Sequence, residues 1–390
     1  MTRRRRHFPV GASITLSQLE GDAHPVLAEL RANEPVSWLP ALDAWLVTDR
    51  ATALAVVRDA ETFTVDDPRF STAQVVGPSM LSRDGAEHDR HRDPFVEPFR
   101  LRPIDDALGA WLGDRANHIV GAVSPRGRAE LREAVAAPLA VDTITECLGL
   151  VDADPERVLG WYRAIVAAVV DVSNGLGVSR AGRDAVEGLL ATVEATIGAS
   201  TASLLSTAAA VGTLETREIH SNTAVIMFGA IETAEAMIAN ALFHLLSHPD
   251  QLEEVAADRS LVADAVEESL RLEPAAALVD RYATRDVVLG RAEIAAGDQV
   301  SVSLTGANRD PATFDEPDRF DIHRPNAHQH VAFVHGPHAC LGIHLARKEA
   351  AAAIDAVLDL LPGLGLDTSA SAAPRGLLFR KPPAVTATWG

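Results

Sequence analysis

A chain of 390 residues, 47% hydrophobic and 23% charged, is enough for one large domain (1–390) with a sizeable core, and no long linker separates two composition regimes. Lys and Arg number 35 against 54 Asp and Glu, a formal charge of -19 that excludes a surface built to neutralise nucleic-acid phosphates; the arginine run 3–6 reads as a solvated tail. Two cysteines, Cys147 and Cys340, exclude a disulfide framework, and no apolar stretch of leader or anchor length follows the arginines, so a cytoplasmic, membrane-free monomer is the expectation.

In chain order, the first elements are a helical stretch at 26–32 and a strand at 45–47. His88 and Arg92 follow with i, i+4 spacing, which lets both point at one anion. Ala and Leu at helical spacing predict helices over 142–150, 155–172 and 183–198, so the class is mainly α. The longest predicted helix covers about 218–248 and stops at Pro249; it is apolar nearly all round from Ala224 to Ile231, which makes it a buried helix crossing the whole domain. Within it, the Thr233 hydroxyl is spaced to bond back to the Gly229 carbonyl, loosening the helix, and Glu232 is its neighbour.

Glu268 and Arg271 share one face of a further helix that ends by Pro274. Short strands at 286–289, 299–304 and 384–389 predict small β-sheets at one side. Between 313 and 339 the chain is rich in Asp, Pro, His and Asn without helical period, and a helix starts at Cys340 and runs to 361.

The chemistry concentrates in Phe333-Val-His-Gly-Pro-His-Ala-Cys-Leu-Gly342. A cysteine in the first turn of a helix is stabilised as thiolate by free N–H groups and the positive end of the helix dipole. Gly336 and Gly342 allow close backbone approach to a flat group, and His338 can donate to an anion on it.

This stretch resembles the haem-binding loop of the cytochrome P450 family, with Phe333, Gly336, His338, Cys340 and Gly342 in matching places and Val334 standing where the family usually has a small or polar residue, often glycine. Glu268, Arg271 and Arg324 resemble the family's structural Glu-Arg-Arg cluster, and Ala307-Asn-Arg-Asp-Pro311 between them is typical of it. Gly229-Ala-Ile-Glu-Thr233 resembles the oxygen-activating segment, with Ala230 in place of the usual glycine. The resemblance covers the chain from about residue 80 onward.

It implies a P450-like fold in which haem b lies between the long helix and the Cys340 loop. Cys340 would be the axial iron ligand, and His88, Arg92, Arg281 and His338 would be the partners of the propionates. The activity implied is that of a monooxygenase hydroxylating a lipophilic small molecule with O2, in secondary metabolism. Thr233 and Glu232 would relay protons, and a ferredoxin with its reductase, or a flavin reductase, would supply electrons. By position the pocket draws on Val75, Val76, Leu81, the turn at 174–178, Ile226, Ala230, Leu278, Val279, Leu377 and Leu378.

Two other readings compete. One keeps the fold and changes the chemistry to a peroxide-driven, coupling or rearrangement reaction. The other is a zinc protein using His328, His330, His335, His338, Cys340 and His344.

Overall fold

The computed structural model describes residues 3–150, 153–173, 176–199 and 203–390. Its helices include α1 (Arg50–Arg58), α2 (Ser71–Val76), α3 (Gly85–Val96), α4 (Leu101–Val123), α5 (Ala137–Leu148), α6 (Pro155–Ser173), α7 (Arg180–Gly198), α8 (Thr216–Ser247), α9 (Val262–Leu272) and α10 (Ile343–Leu360). Local chemistry sets several of these ends. Asp49 accepts from the Thr52 N–H to start α1, and Ser179 accepts from the Gly182 N–H to start α7, three residues earlier than the periodicity predicts. Gly149, with φ +76°, closes α5 in the left-handed conformation.

Two predicted boundaries move. The helix predicted over 142–150 begins at Ala137, continuing a π-helical turn at Arg132–Ala136. The helix predicted to start at Cys340 starts at Ile343, so the cysteine lies in the loop ahead of it, not in its first turn.

A five-stranded sheet forms one side. It comprises β1 (Val36–Leu39), β2 (Ala44–Val47), β3 (Phe63–Thr64), β4 (Leu278–Ala283) and β5 (Gln299–Ser303), in the order β1-β2-β5-β4-β3. The β2 and β5 strands are parallel and the other neighbours antiparallel. The predicted strand at 286–289 is Val287–Leu289, in a hairpin with Ala292–Ile294; that at 384–389 is Thr386–Thr388, paired with Arg128–Glu130 and Gly365–Leu366.

The amino-terminal arginines are not a solvated tail throughout. They lie in a helix, Arg3–His7, from which Arg4 pairs with Asp298 at 2.5 Å and covers the Trp38 ring at 4.4 Å, so indole faces hold the cation in place.

The α8 helix is the axle of the fold. Its amino-terminal half shares an apolar cluster with side chains of α2, α6, α7 and the short helix Leu204–Val211, such as Leu189 and Leu205, and its carboxyl-terminal half shares another with α4, α9 and α10. It is long and apolar enough to cross a bilayer, but two thirds of its apolar window is buried within the protein, as in the core helix of a globular domain. In the middle of the helix Ile226, Phe228, Gly229, Ala230, Glu232 and Thr233 are only half-buried, so one face of it borders open space.

Candidate active site

The Cys340 loop is shaped by its backbone. The Cys340 N–H donates to the Phe333 carbonyl at 2.8 Å and the Ala339 N–H to that of Gly336 at 3.1 Å, folding the segment into a tight hairpin-like loop. Gly336 has φ +79°, and a Cβ there would sit 2.7 Å from the Val57 carbonyl at the end of α1, so both conformation and space demand glycine. Gly342 meets nothing within 4 Å of its virtual Cβ; it faces the open side. Val334 has φ +59°, a conformation that is strained for a β-branched residue. The turn therefore keeps the geometry a glycine would adopt, and the valine bears the strain.

Cys340 is solvent-exposed, yet it lies in a recess where loss of hydration pushes its thiol pKa up, against the pull of the Gly342 N–H and the nearby Arg92 and Arg347 cations. The expectation that a helix start lowers this pKa is thus reversed in the bare protein, because the sulfur precedes the helix and burial outweighs the donors. Arg92 donates to the Ala339 carbonyl at 2.7 Å, directly beside the cysteine. Phe333 is covered by the Arg347 guanidinium at 4.7 Å, and Arg347 is held by Glu267.

Behind the loop stands a fully buried ionic lock. Arg271 donates to both oxygens of Glu268, at 2.7 and 2.8 Å, and Arg324 Nε reaches the same carboxylate at 3.1 Å. The remaining guanidinium N–H groups go to carbonyls: Arg271 to those of Asn308, Pro317 and Arg319, and Arg324 to those of Asp315, Glu316 and Arg319. Asn308 then accepts from the Val331 N–H at 2.7 Å, two residues before Phe333. The network ties α9 to the irregular stretch that carries the cysteine. Burying three charges contributes little net stability, but each donor is satisfied, so the arrangement fixes one conformation.

Basic groups gather along one edge. His88 and His338 pack ring against ring, with centroids 4.5 Å apart, and His338 Nε2 lies 2.7 Å from Asp84 Oδ1. Burial holds His338 below the usual histidine range, so at neutral pH the uncharged ring donates its N–H to the carboxylate. Burial raises Asp84, but hydrogen bonds from His338, Thr64 and the Val65 N–H outweigh it and bring the carboxyl to about 2. His88 Nε2 is buried with no partner among the described residues, and Arg281, only 5% exposed, donates to its own neighbour's carbonyl at Asp280. Of these four basic side chains only His338 bonds Asp84; His88 Nδ1 lies 3.1 Å from the exposed Asp89, and Arg92 and Arg281 donate to backbone carbonyls. The sequence offered no motif for Asp84; its place just before α3 was the only signal.

On the opposite wall, Thr233 donates to the Gly229 carbonyl as the spacing predicts. Gly229, like Gly342, has nothing near its virtual Cβ. Glu232 does not contact Thr233 through its carboxylate: Tyr162 of α6 donates to it at 2.7 Å and Lys381 lies 2.8 Å away. Neither partner was singled out in the sequence, because Tyr162 and Lys381 are 70 and 149 residues from Glu232.

The candidate pocket residues divide. Val75, Val76, Leu81, Ile226 and Ala230 belong to the apolar cluster around the amino-terminal half of α8. Leu278 and Leu377 pack instead on the cluster of Leu19, Leu27 and Leu46, Val279 on that of the β-sheet, and Leu378 is exposed. Residues 174–175 of the turn at 174–178 lie outside the described residues. Cys147 is a core thiol that burial pushes up to about 12. The histidines around Cys340 do not converge: among the described residues no group of three His, Cys, Asp or Glu side chains is placed to hold a metal ion, which removes the zinc reading.

The "Cytochrome P450" family model matches residues 195–360. The chain is 34% identical over 371 residues to the cytochrome P450 monooxygenase PikC of Streptomyces venezuelae, covering 89% of this chain and 86% of the relative. It is 31% identical to pentalenic acid synthase of Streptomyces avermitilis, covering 90% and 89%. Among solved structures, P450BioI in complex with an acyl carrier protein bearing hexadec-9Z-enoic acid superposes with a TM-score of 0.87 at 26% identity, over 96% of this chain and all of that one.

Proposed function

Because this chain belongs to the cytochrome P450 family, as a relative 34% identical over 89% of its length establishes, we propose that Cys340 ligates the iron of its haem b and that Thr233 and Glu232 serve dioxygen activation. The protein is a haem-thiolate monooxygenase that places one oxygen atom of O2 into a lipophilic small molecule in secondary metabolism.

The observation that carries the site assignment is the meeting, in one recess, of an open thiol with His88, Arg92, Arg281 and His338, where His88 Nε2 is buried without a partner among the described residues and the two guanidinium groups donate to backbone carbonyls. Such a set fits an iron porphyrin with two propionates. His88, with its unpartnered Nε2, and the buried Arg281 are the natural partners of those carboxylates, with Arg92 and His338 beside them. The virtual Cβ space at Gly229 and Gly342 leaves room for a flat ring between the two walls.

When bound, the haem supplies the redox chemistry: two electrons and two protons reduce O2, one oxygen atom enters a C–H bond and the other leaves as water. The chain's own residues do the rest. Cys340 presents its sulfur from a loop that the Glu268 lock prevents from moving. The Thr233 hydroxyl, bonded to Gly229, opens the α8 helix locally and holds a proton at its Oγ1, and Glu232 exchanges protons with solvent water. The half-buried apolar side chains of Val75, Leu81, Ile226 and Ala230 exclude water and orient the substrate. Electrons come from a separate redox protein, which we take to be a ferredoxin served by its reductase, in the cytoplasm.

Turnover of the holo-protein with NADH, a ferredoxin and its reductase under isotopically labelled dioxygen tests this, using a panel of macrolides, sesquiterpenes and fatty acids. The expected product carries one labelled oxygen atom. Label-free hydroxylation, or turnover with hydrogen peroxide and none with the reducing system, contradicts the reading.

A further inference from the structure

The turn that brings Met80 and Leu81 to the apolar cluster around the cleft is closed on itself. The Ser82 N–H donates to the Ser79 carbonyl at 3.0 Å, the Ser79 N–H to Ser82 Oγ at 3.1 Å and the Leu81 N–H to Ser79 Oγ at 3.3 Å. Met80 instead directs its N–H out of the turn, to Asn222 Oδ1 on α8 at 2.8 Å. Gly77, at the start of the same stretch, has φ +89° and comes so near α8 that a Cβ there would lie 2.8 Å from Ser221 Oγ. Two consecutive residues of the core helix therefore set how closely the turn stands against it.

The fully buried Asn222 amide can face one way only. The Met80 N–H donates and needs the amide oxygen, while the amide nitrogen donates to the Glu218 carbonyl at 2.8 Å, which can only accept. The other N–H of that nitrogen meets His91 Nδ1 of α3, 2.9 Å away. His91 Nδ1 is thus an acceptor, and the ring proton sits on Nε2, 3.6 Å from Glu218 Oε1. Arg90 Nη2 also stands 3.3 Å from Nε2, but its two hydrogens are spent on Glu87 at 2.8 Å and Glu218 at 2.7 Å. Glu218 of α8 and Arg90 and Glu87 of α3 are the charged groups that face His91 among the described residues. The short helix Leu204–Val211, which also packs against α3, carries no titratable side chain.

We infer that Asn222 and His91 are positioning residues that hold the 79–82 turn against the cleft, and that a proton taken up at His91 Nδ1 releases it. This rests on the reading of the cleft as the substrate pocket. A protonated Nδ1 sets N–H against N–H. The amide relieves that by turning over, which presents its nitrogen to the Met80 N–H and breaks the bond to the turn. Losing one buried hydrogen bond shifts such a balance about tenfold. Burial holds His91 below the usual histidine range of 6.5. Its folded pKa is depressed, so the closed turn is complete above 6.5 and is lost as pH falls below that value and through the folded one.

The test is hydrogen exchange of the ferric holo-protein, read by site-resolved mass spectrometry and corrected for the intrinsic pH dependence of amide exchange. Wild type, His91→Gln and Asn222→Leu are compared. Glutamine keeps an oxygen that accepts from Asn222 but takes up no proton. In the wild type, protection of the Met80 amide should be constant above pH 6.5 and fall about tenfold below it. His91→Gln should keep the high protection throughout, and Asn222→Leu should exchange about tenfold faster at every pH. An Asn222→Leu turn as protected as the wild type, or a loss at low pH that persists in His91→Gln, overturns the inference. If Asn222→Leu does not retain haem, the pH profile of His91→Gln decides alone. Failure of the monooxygenase reading registers elsewhere, as no labelled product in the turnover assay, and leaves the exchange profile where it was.

Discussion

On the cysteine wall of the cleft, Glu268 is fully buried and bound by two arginines whose other N–H groups end on five carbonyls, and Gly336 is wedged against α1. On the threonine wall, one face of the core helix is half-buried between Ile226 and Thr233, and its one acidic side chain rests on donors from two other elements. The first wall is over-determined: losing any one contact leaves several that fix the sulfur. The second is held by a few exchangeable polar contacts around open space. A site that must keep one atom stationary while protons and substrate move needs this division, and the difference can be broken from either side.

The largest effect belongs to the lock. Glu268→Ala leaves two buried guanidinium groups without their carboxylate and should cost about 3–5 kcal/mol, read as a collapse of the melting temperature and of haem retention. A shift of only a degree or two means the cysteine wall is not held this way.

The same wall should show a pH signature from Glu349 on α10. Burial pushes this carboxyl up to about 8 from 4.5, and its Oε1 has no partner among the described residues. Its folded pKa is raised, so the stability it permits is complete below the unfolded value and is lost as pH rises from about 4.5 to about 8. Glu349→Gln should remove that loss, a gain on the order of 2–3 kcal/mol near pH 8, visible as a flatter plot of melting temperature against pH. An unchanged plot means that the carboxyl is ionised in the folded protein.

On the threonine wall, Thr233→Ala removes a proton donor and a back-bond without disturbing the packing. Product formed per NADH consumed should fall at least about tenfold, with hydrogen peroxide taking its place, while the melting temperature stays close to wild type. Unchanged coupling removes the relay role; a large loss of stability shows that this wall too is structural.

The smallest effect sharpens the account of the loop. Val334→Gly relieves a β-branched residue at φ +59°, offset in part by glycine's greater freedom when unfolded, and should stabilise by about 1 kcal/mol or slightly less. Denaturant unfolding measures it, and destabilisation means the valine side chain contributes more by packing than the turn costs.

The two walls also differed in how far the sequence revealed them. Phe333, Gly336, His338, Cys340 and Gly342 are close in the chain, so one local motif could carry the resemblance that marked them, and the Thr233 to Gly229 bond followed from helical periodicity. Asp84 at His338, and Tyr162 and Lys381 at Glu232, are tertiary partners that no local pattern encodes; the fold alone brings them in. Helix ends erred where a π-turn ran ahead of α5 and where the cysteine loop delayed α10 to Ile343, since period shows that a helix exists and not where its backbone is first captured. The expected pocket residues fall on three apolar clusters, which only tertiary packing distinguishes.

The central claim is that the Cys340 sulfur binds the haem iron, and the carbon monoxide difference spectrum of the reduced protein, with Cys340→Ser beside it, tests it most directly. The account predicts the long-wavelength Soret band of a thiolate-ligated haem in the wild type and its loss in the serine variant. A band typical of a neutral axial ligand in the wild-type protein, or the same spectrum from both proteins, contradicts it.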